Sequence, residues 1–91
     1  MRRLAQRCDL LDVLNAVEQG PVPWHTHNRA ALTGRIYEFF DRHTVDDNLR
    51  LSMLRQVTAR VEEAERHGYI EVSLCQVRLS VKGREYLNAL D

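Results

Sequence analysis

The amino-acid sequence predicts a mainly α-helical fold with a small β-hairpin: a three-helix core, a two-stranded hairpin and a closing C-terminal helix. Two patterns support this prediction. Apolar residues recur every three or four positions in several segments, as they do on the buried face of a helix, whereas they alternate with polar residues within 69–80, as in strands. A chain of 91 residues can form one core, so we expect a single domain over 1–91.

The first helix is predicted within DLLDVLNAVEQGP at 9–21. Asp9 is a suitable N-cap residue, and Gly20 followed by Pro21 ends the helix. Its apolar stripe consists of Leu10, Leu11, Leu14 and Val17. Both prolines of the chain lie within 21–28, which is therefore interpreted as a connection with room for one short extended piece.

The second helix is predicted within NRAALTGRIYEFFDRH at 28–43. Its apolar face consists of Ile36, Tyr37, Phe39 and Phe40. Two starting points are open, because Asn28 and Thr33 are both capable N-cap residues. Gly34 favours the start after Thr33, since glycine destabilises a helix interior. The segment TVDDN at 44–48 is interpreted as a turn.

The third helix is predicted over 53–67, with Ser52 as its N-cap and Gly68 as the glycine that ends it. Its buried stripe consists of Met53, Val57, Val61 and Ala64, with Leu54 beside them. A hairpin follows over 69–80, with a connection near 74–76, and a closing helix over 80–91 is capped by Ser80. The apolar edge of that closing helix consists of Val81, Tyr86, Leu87 and Leu90.

Three helices, a hairpin and a last helix, in that order, are the arrangement of a winged helix-turn-helix domain. The ending HGYIEVSLCQVRLSVKGREYLNAL resembles the close of many bacterial and archaeal winged-helix regulators, in which a glycine ends one helix and L-(S/T)-x-K-G-R-E-x-L opens the last. The matching residues are Gly68, Tyr69, Ile70, Leu79, Ser80, Lys82, Gly83, Arg84, Glu85 and Leu87. Because many families share this motif, the resemblance implies a fold more than a function.

The stretch from 9 to 72, with TGRIYEFF and LRLSMLRQVTARVEEAERHGYIEV, resembles the C-terminal winged-helix domain of archaeal origin-recognition initiators. Those proteins also carry an ATPase module, and this sequence has no G-x-x-x-x-G-K phosphate loop. Its predicted wing tip, SLCQ, is short and uncharged, and its connection over 21–32 is long. The resemblance therefore implies a stand-alone DNA-contacting module rather than a full initiator.

A recognition helix contacts bases with its first turns and phosphates with its flanks. With Val57 and Val61 inward, the predicted third helix places Arg55, Thr58, Ala59 and Glu62 on its outer side, and Gln56 and Arg60 on one flank. The candidate DNA-binding residues are Arg50, Ser52, Arg55, Gln56, Thr58, Arg60, Arg78, Lys82 and Arg84. Among these, Arg55 suits guanine and Gln56 suits adenine. We therefore expect binding of double-stranded DNA by a small transcriptional regulator or replication-associated accessory.

Two features favour a different function. The net charge is zero, and Glu62, Glu63 and Glu65 oppose deep insertion of the helix into a groove. The alternative is a winged-helix module for protein–protein interaction or dimerisation, which an uncharged wing tip, the Phe39–Phe40 pair and an exposed Trp24 would suit. A homodimer is compatible with both functions, because a DNA-binding domain this small usually gains affinity from a second copy.

The sequence gives little support to other chemistry. In a strand, the two imidazoles of HTH at 25–27 would share a face, but no third ligand is nearby, so we expect neither a metal nor a cofactor. Carboxylate pairs such as Glu62–Glu63 lack a partner base, and no enzymatic activity is expected. Cys8 and Cys75 are interpreted as reduced thiols that pack as small hydrophobes.

No apolar run approaches the roughly 20 residues that cross a bilayer, so no membrane span is expected. Asp9, Asp12 and Asn15 interrupt the basic N-terminal segment, which therefore does not resemble a signal peptide. A cytoplasmic location is the expectation that follows.

Overall fold

The computed structural model of the chain describes residues 7–25, 28–39 and 47–90, and over 47–50 the backbone alone. Within these residues the chain forms four helices and a three-stranded antiparallel sheet. The elements are α1 (Leu10–Glu18), β1 (Val22–Pro23), α2 (Ala30–Tyr37), α3 (Asp47–Arg66), β2 (Ile70–Ser73), β3 (Gln76–Leu79) and α4 (Val81–Ala89). No helix in this part of the chain combines the length and the apolar character needed to span a membrane.

The helices and the hairpin are confirmed, whereas the prediction of a two-stranded sheet is wrong. The strands lie in the order β1-β3-β2, because Val22 and Pro23 pair with Val77 and Gln76. Proline has no N–H for the ladder, and Pro23 accordingly lies in an edge strand. Trp24 continues the pairing by donating its backbone N–H to the Cys75 carbonyl at 2.8 Å. A strand of two residues is too short to show alternation in the sequence.

The β2–β3 hairpin turns through Leu74 and Cys75, and both residues have positive φ angles, of 51° and 60°. A two-residue turn with this geometry matches the right-handed twist of the strands, although glycine or asparagine normally occupies it. Leu74 and Cys75 therefore each hold a conformation that costs about 1–2 kcal/mol. Cys75 is exposed and Cys8 is fully buried, so the prediction that both thiols pack inside is correct for Cys8 alone.

Side chains form hydrogen bonds with the backbone at both ends of α1. At its start the Asp9 backbone N–H donates to the Asp12 carboxylate at 2.8 Å, one half of a capping box. At its end the Arg35 Nη1 donates to the carbonyl oxygens of Ala16 and Gly20, at 3.3 and 3.5 Å. This guanidinium from α2 lies at the negative end of α1, where a cation is favourable. Leu11 lies outside the buried stripe, with 38% of its surface exposed.

α2 starts at Ala30 with Arg29 as its N-cap residue, so the predicted start after Thr33 is wrong. Thr33 lies inside the helix, where its hydroxyl donates to the Arg29 carbonyl at 2.8 Å. Leu32 and Ile36 are fully buried, and their packing outweighs the roughly 1 kcal/mol that Gly34 costs in a helix interior. Residues 40–43 of the predicted helix, Phe40 included, lie outside the described part.

α3 is longer than predicted, since it begins at Asp47 rather than at Met53. Ser52 is therefore an exposed residue inside the helix and not its N-cap, and the predicted turn over 44–48 is wrong at 47 and 48. Residues 44–46 lie outside the described part. Aspartate is common in turns, but it also suits the first turn of a helix, where it faces the positive end of the macrodipole. The aspartates of this segment therefore do not distinguish a turn from a helix start. The predicted buried stripe is confirmed at Met53, Val57, Val61 and Ala64 and is wrong at Leu54, which is 37% exposed.

The junction after α3 brings together residues from both ends of the segment 68–83. Gly68 has φ 77°, and the Tyr69 and Gly68 backbone N–H groups donate to the carbonyls of Ala64 and Glu65, which is a Schellman motif. Ser80 caps α4 by accepting from the Gly83 N–H at 2.9 Å. The Ser80 hydroxyl also donates to the Gly68 carbonyl, which joins the start of α4 to the end of α3.

α4 packs by Leu87, which is buried, and by Tyr86, whose ring stacks on Tyr69 with centroids 4.5 Å apart. Val81 and Leu90 are 78% and 54% exposed, so the predicted apolar edge is wrong at these two positions. Gly83 faces the chain at the end of α3 so closely that no side chain fits there. A Cβ atom at position 83 would collide with the Tyr69 carbonyl oxygen and lie 2.8 Å from Leu79 Cδ1.

Gly83→Ala is therefore expected to lower the free energy of unfolding by about 2–3 kcal/mol, because backbone has to move to admit the methyl group. Gly34→Ala is the matched control, since a Cβ there meets nothing within 4 Å. It should stabilise the protein by about 0.5–1 kcal/mol. Urea unfolding followed by circular dichroism measures both changes, and equal effects of the two substitutions would contradict the close approach at Gly83.

Candidate nucleic-acid interface

The outer face of α3, opposite its buried stripe, forms one wall of an open groove of about 380 Å³. The groove is lined by Arg29, Leu54, Arg55, Thr58, Ala59 and Glu62. The four residues that the sequence placed on the outer side of the helix are thus all groove residues. Arg29 comes from the start of α2, so the groove lies where α2 and α3 meet.

Arg29 is held in place by contacts from two directions. Its guanidinium carbon lies 5.0 Å from the centroid of the Trp24 ring, and its Nη1 donates to the Thr58 hydroxyl at 3.1 Å. Thr58 in turn donates to the Leu54 carbonyl at 2.9 Å, so one hydroxyl links α2 to α3. Trp24 is buried, with 8% of its surface exposed. It therefore supports the groove from inside and is not itself a contact surface.

On the other flank of α3, polar side chains are engaged within the protein. The Gln56 Oε1 accepts from the Cys8 backbone N–H at 2.8 Å, and its Nε2 donates to the Ser52 hydroxyl at 3.1 Å. Arg60 forms an ion pair with Glu63, with 3.0 Å between Nε and the carboxylate. Gln56 thus anchors the segment before α1, and in this structure its amide is not turned towards the groove.

The remaining candidates lie elsewhere. Arg78 is exposed on β3, opposite Glu71 of β2. Lys82 and Arg84 are exposed on α4, and the Lys82 ammonium lies 5.7 Å from the Tyr69 ring, beside the end of α3. Gly68 follows Arg55 by 13 positions, which corresponds to about 20 Å along a helix. Lys82, which lies beside Gly68 and Tyr69, is therefore far from Arg55.

Of the nine predicted DNA-binding residues, the structure therefore brings Arg55 and Thr58 together in the groove. Ser52, Gln56 and Arg60 lie on the flank of α3, and Arg78, Lys82 and Arg84 lie elsewhere. The side chain of Arg50 lies outside the described part.

The sequence did not indicate two of the groove residues: Leu54, which it placed beside the buried stripe, and Arg29. Arg29 reaches the groove because α2 starts at Ala30. The predicted start after Thr33 would have placed Arg29 in the connection before the helix. Trp24, five positions earlier, was a usable signal, because an arginine near a tryptophan is the commonest cation–π pairing.

The HTH segment at 25–27 is only partly described, since Thr26 and His27 lie outside the described residues. His25 pairs with Asn28 through backbone hydrogen bonds that close the connection before α2. Within 7–25, 28–39 and 47–90 no three histidine, cysteine or carboxylate side chains group as a metal site requires.

Comparisons with protein-family models, with curated proteins and with solved structures find no match for this chain. A function for it has to come from the chemistry of its own residues, and above all from the groove on α3.

Gln56→Ala is expected to lower the free energy of unfolding by about 1–2 kcal/mol, because the buried Cys8 N–H loses this acceptor. Gln56→Glu replaces the amide by a carboxylate of the same shape, keeps an oxygen acceptor for the Cys8 N–H, and should cost less than half as much. Urea unfolding of both variants tests this, and an alanine variant as stable as the parent protein would show that Gln56 does not anchor the segment.

Proposed function

We propose that the chain is a winged helix-turn-helix domain that binds double-stranded DNA through the outer face of α3. The observation that carries the proposal is the groove itself: two arginines, Arg29 and Arg55, line the face of α3 that the core leaves exposed. Guanidinium groups are the side chains that contact both phosphates and guanine edges most often in protein–DNA complexes. A small transcriptional regulator or a replication-associated accessory is the role that fits a module of this size.

The order of the elements supports the fold part of the proposal. α2 and α3 both pack on α1, and the β2–β3 hairpin follows α3 directly. β1 adds two residues to the free edge of β3, and the β2–β3 pairing of the hairpin is unchanged by it. In this arrangement α3 is the helix that a helix-turn-helix protein places in the major groove.

The glutamates of α3 oppose DNA binding less than their number suggests. Glu63 is half-buried on the opposite flank and pairs with Arg60, and among the three only Glu62 lines the groove. Glu62 lies two turns after Arg55, about 10 Å along the helix. A carboxylate at this place suits the amino group of cytosine, whereas it repels phosphate. The middle of α3, around Arg55 and Thr58, is therefore the part that we expect to approach the duplex.

Arg55→Ala should weaken binding to a random-sequence duplex about tenfold, because it removes a charged contact from the exposed middle of α3. It should also reduce the slope of log affinity against log salt by about one. Arg66→Ala is the matched control, since it makes the same charge change on the same helix beyond Glu62. Fluorescence anisotropy over a salt series measures both quantities.

Equal losses in Arg55→Ala and Arg66→Ala would assign binding to general charge and not to the groove on α3. A parent protein that binds no duplex at low salt would rule out the proposed function.

A protein–protein interaction module is the second candidate function, and apolar exposure favours it. Leu51 and Leu54, one turn apart on α3, are 65% and 37% exposed, and Leu74 at the hairpin tip is 87% exposed. Exposed apolar side chains of this kind mark partner surfaces when they are contiguous. Size-exclusion chromatography with light scattering distinguishes the two functions: a stable dimer that binds no duplex supports this one.

A further inference from the structure

We propose that Arg29 holds a phosphate of the DNA backbone in the groove, and that Trp24 and Thr58 position its guanidinium for this contact. The inference rests on the proposed function and assigns one of its contacts to a residue outside the predicted recognition helix. Both α2 and α3 then contribute to the interface: α3 faces the DNA bases, and the start of α2 contacts the DNA backbone.

The first support is the charge of Arg29. The side chain is half-buried, and among the described residues no carboxylate forms an ion pair with it. Its Nε is buried and has no hydrogen-bond partner. A guanidinium that has lost part of its water without gaining an anion is unfavourable, and a phosphate in the groove supplies that anion.

The second support is pre-organisation. The Trp24 ring lies against the guanidinium at 5.0 Å, and the Thr58 hydroxyl accepts from Nη1 at 3.1 Å. These contacts restrict a side chain that would otherwise lose much rotamer entropy on binding. The guanidinium has five N–H donors in a rigid fork, and its Nη2, which makes no hydrogen bond to the described residues, is the group that we expect to reach a phosphate oxygen.

The third support is the position of the residue. Arg29 precedes the first turn of α2, and Arg55 lines the same groove from α3. A phosphate between them meets two cations, whereas Glu62 keeps the remaining part of the groove unfavourable for a second anion. One phosphate per groove is therefore the expected stoichiometry.

Trp24 supplies a local readout, because it is the only tryptophan of the chain. We would titrate the parent protein, Arg29→Ala, Arg29→Lys, Thr58→Val and the control Arg66→Ala with a labelled duplex over a salt series. Anisotropy of the label reports binding, and Trp24 emission reports occupancy beside Arg29. Circular dichroism melting of each variant separates lost contacts from lost fold.

For the parent protein, the anisotropy of the labelled duplex and the Trp24 emission should both change, with the same titration midpoint. Arg29→Ala should weaken binding about tenfold and reduce the salt slope by about one. Arg29→Lys should keep the slope and still bind less tightly, since it keeps the charge and loses the fork. Thr58→Val should weaken binding several-fold at an unchanged slope, because it removes positioning and no charge.

Binding of the duplex without a change in Trp24 emission, together with an Arg29→Ala variant that behaves like Arg66→Ala, would overturn the role of Arg29 and leave the proposed function standing. Absence of any duplex binding would overturn both. An arm with inorganic phosphate separates the two sources of the anion: a saturable Trp24 response to phosphate alone, with none to duplex, would overturn the assignment to DNA.

Discussion

One face of α3 is buried along most of its length, and α1, α2 and β2 all pack against it. Met53, Val57 and Ala64 are completely inaccessible, and Val61 is nearly so. Each of the larger side chains contributes about 2 kcal/mol through the area it removes from water. Because this stripe occupies one side of a regular helix, the opposite side is exposed by geometry. The groove on α3 is thus a consequence of the same periodicity that builds the core.

The C-terminal end and the middle of α3 serve different purposes. At its C-terminal end, Gly68, Tyr69, Ser80 and Gly83 form a close junction in which α4 starts against the chain that leaves α3. This junction fixes the hairpin and α4 near that end. Near its middle, α3 is joined instead by α2, through the hydrogen bond from Arg29 to Thr58. The junction at the C-terminal end supports the fold, and the exposed middle of α3 lines the groove together with the arginines.

Much of the fold could be predicted because local signals agreed with packing. The stripe of α3, the glycine at 68 and the Ser80 cap each follow from a residue type with one strong preference. The errors fall where signals compete. Gly34 suggested a late start for α2, yet burial of Leu32 and Ile36 decided the helix. Serine is favoured at an N-cap and is also tolerated inside a helix, so Ser52 does not show where α3 starts.

The site was predicted in part. Periodicity alone placed Arg55, Thr58, Ala59 and Glu62 on one face, and all four line the groove. Periodicity could not show that Gln56 is occupied by the Cys8 N–H, because that contact joins residues 48 positions apart. Nor could it supply Arg29, which enters the groove through the packing of α2 on α3. Contacts between distant segments are the information that a sequence pattern lacks.

The central claim is that the face of α3 from Leu54 to Glu62, together with the start of α2, meets the duplex. Titration of the ¹⁵N-labelled protein with a short duplex, followed by amide chemical shifts, tests it directly. The account predicts that the largest shifts cluster at 29–33 and 54–62 and that α4 changes little. Large shifts confined to the hairpin tip and α4, with α3 unchanged, would contradict it.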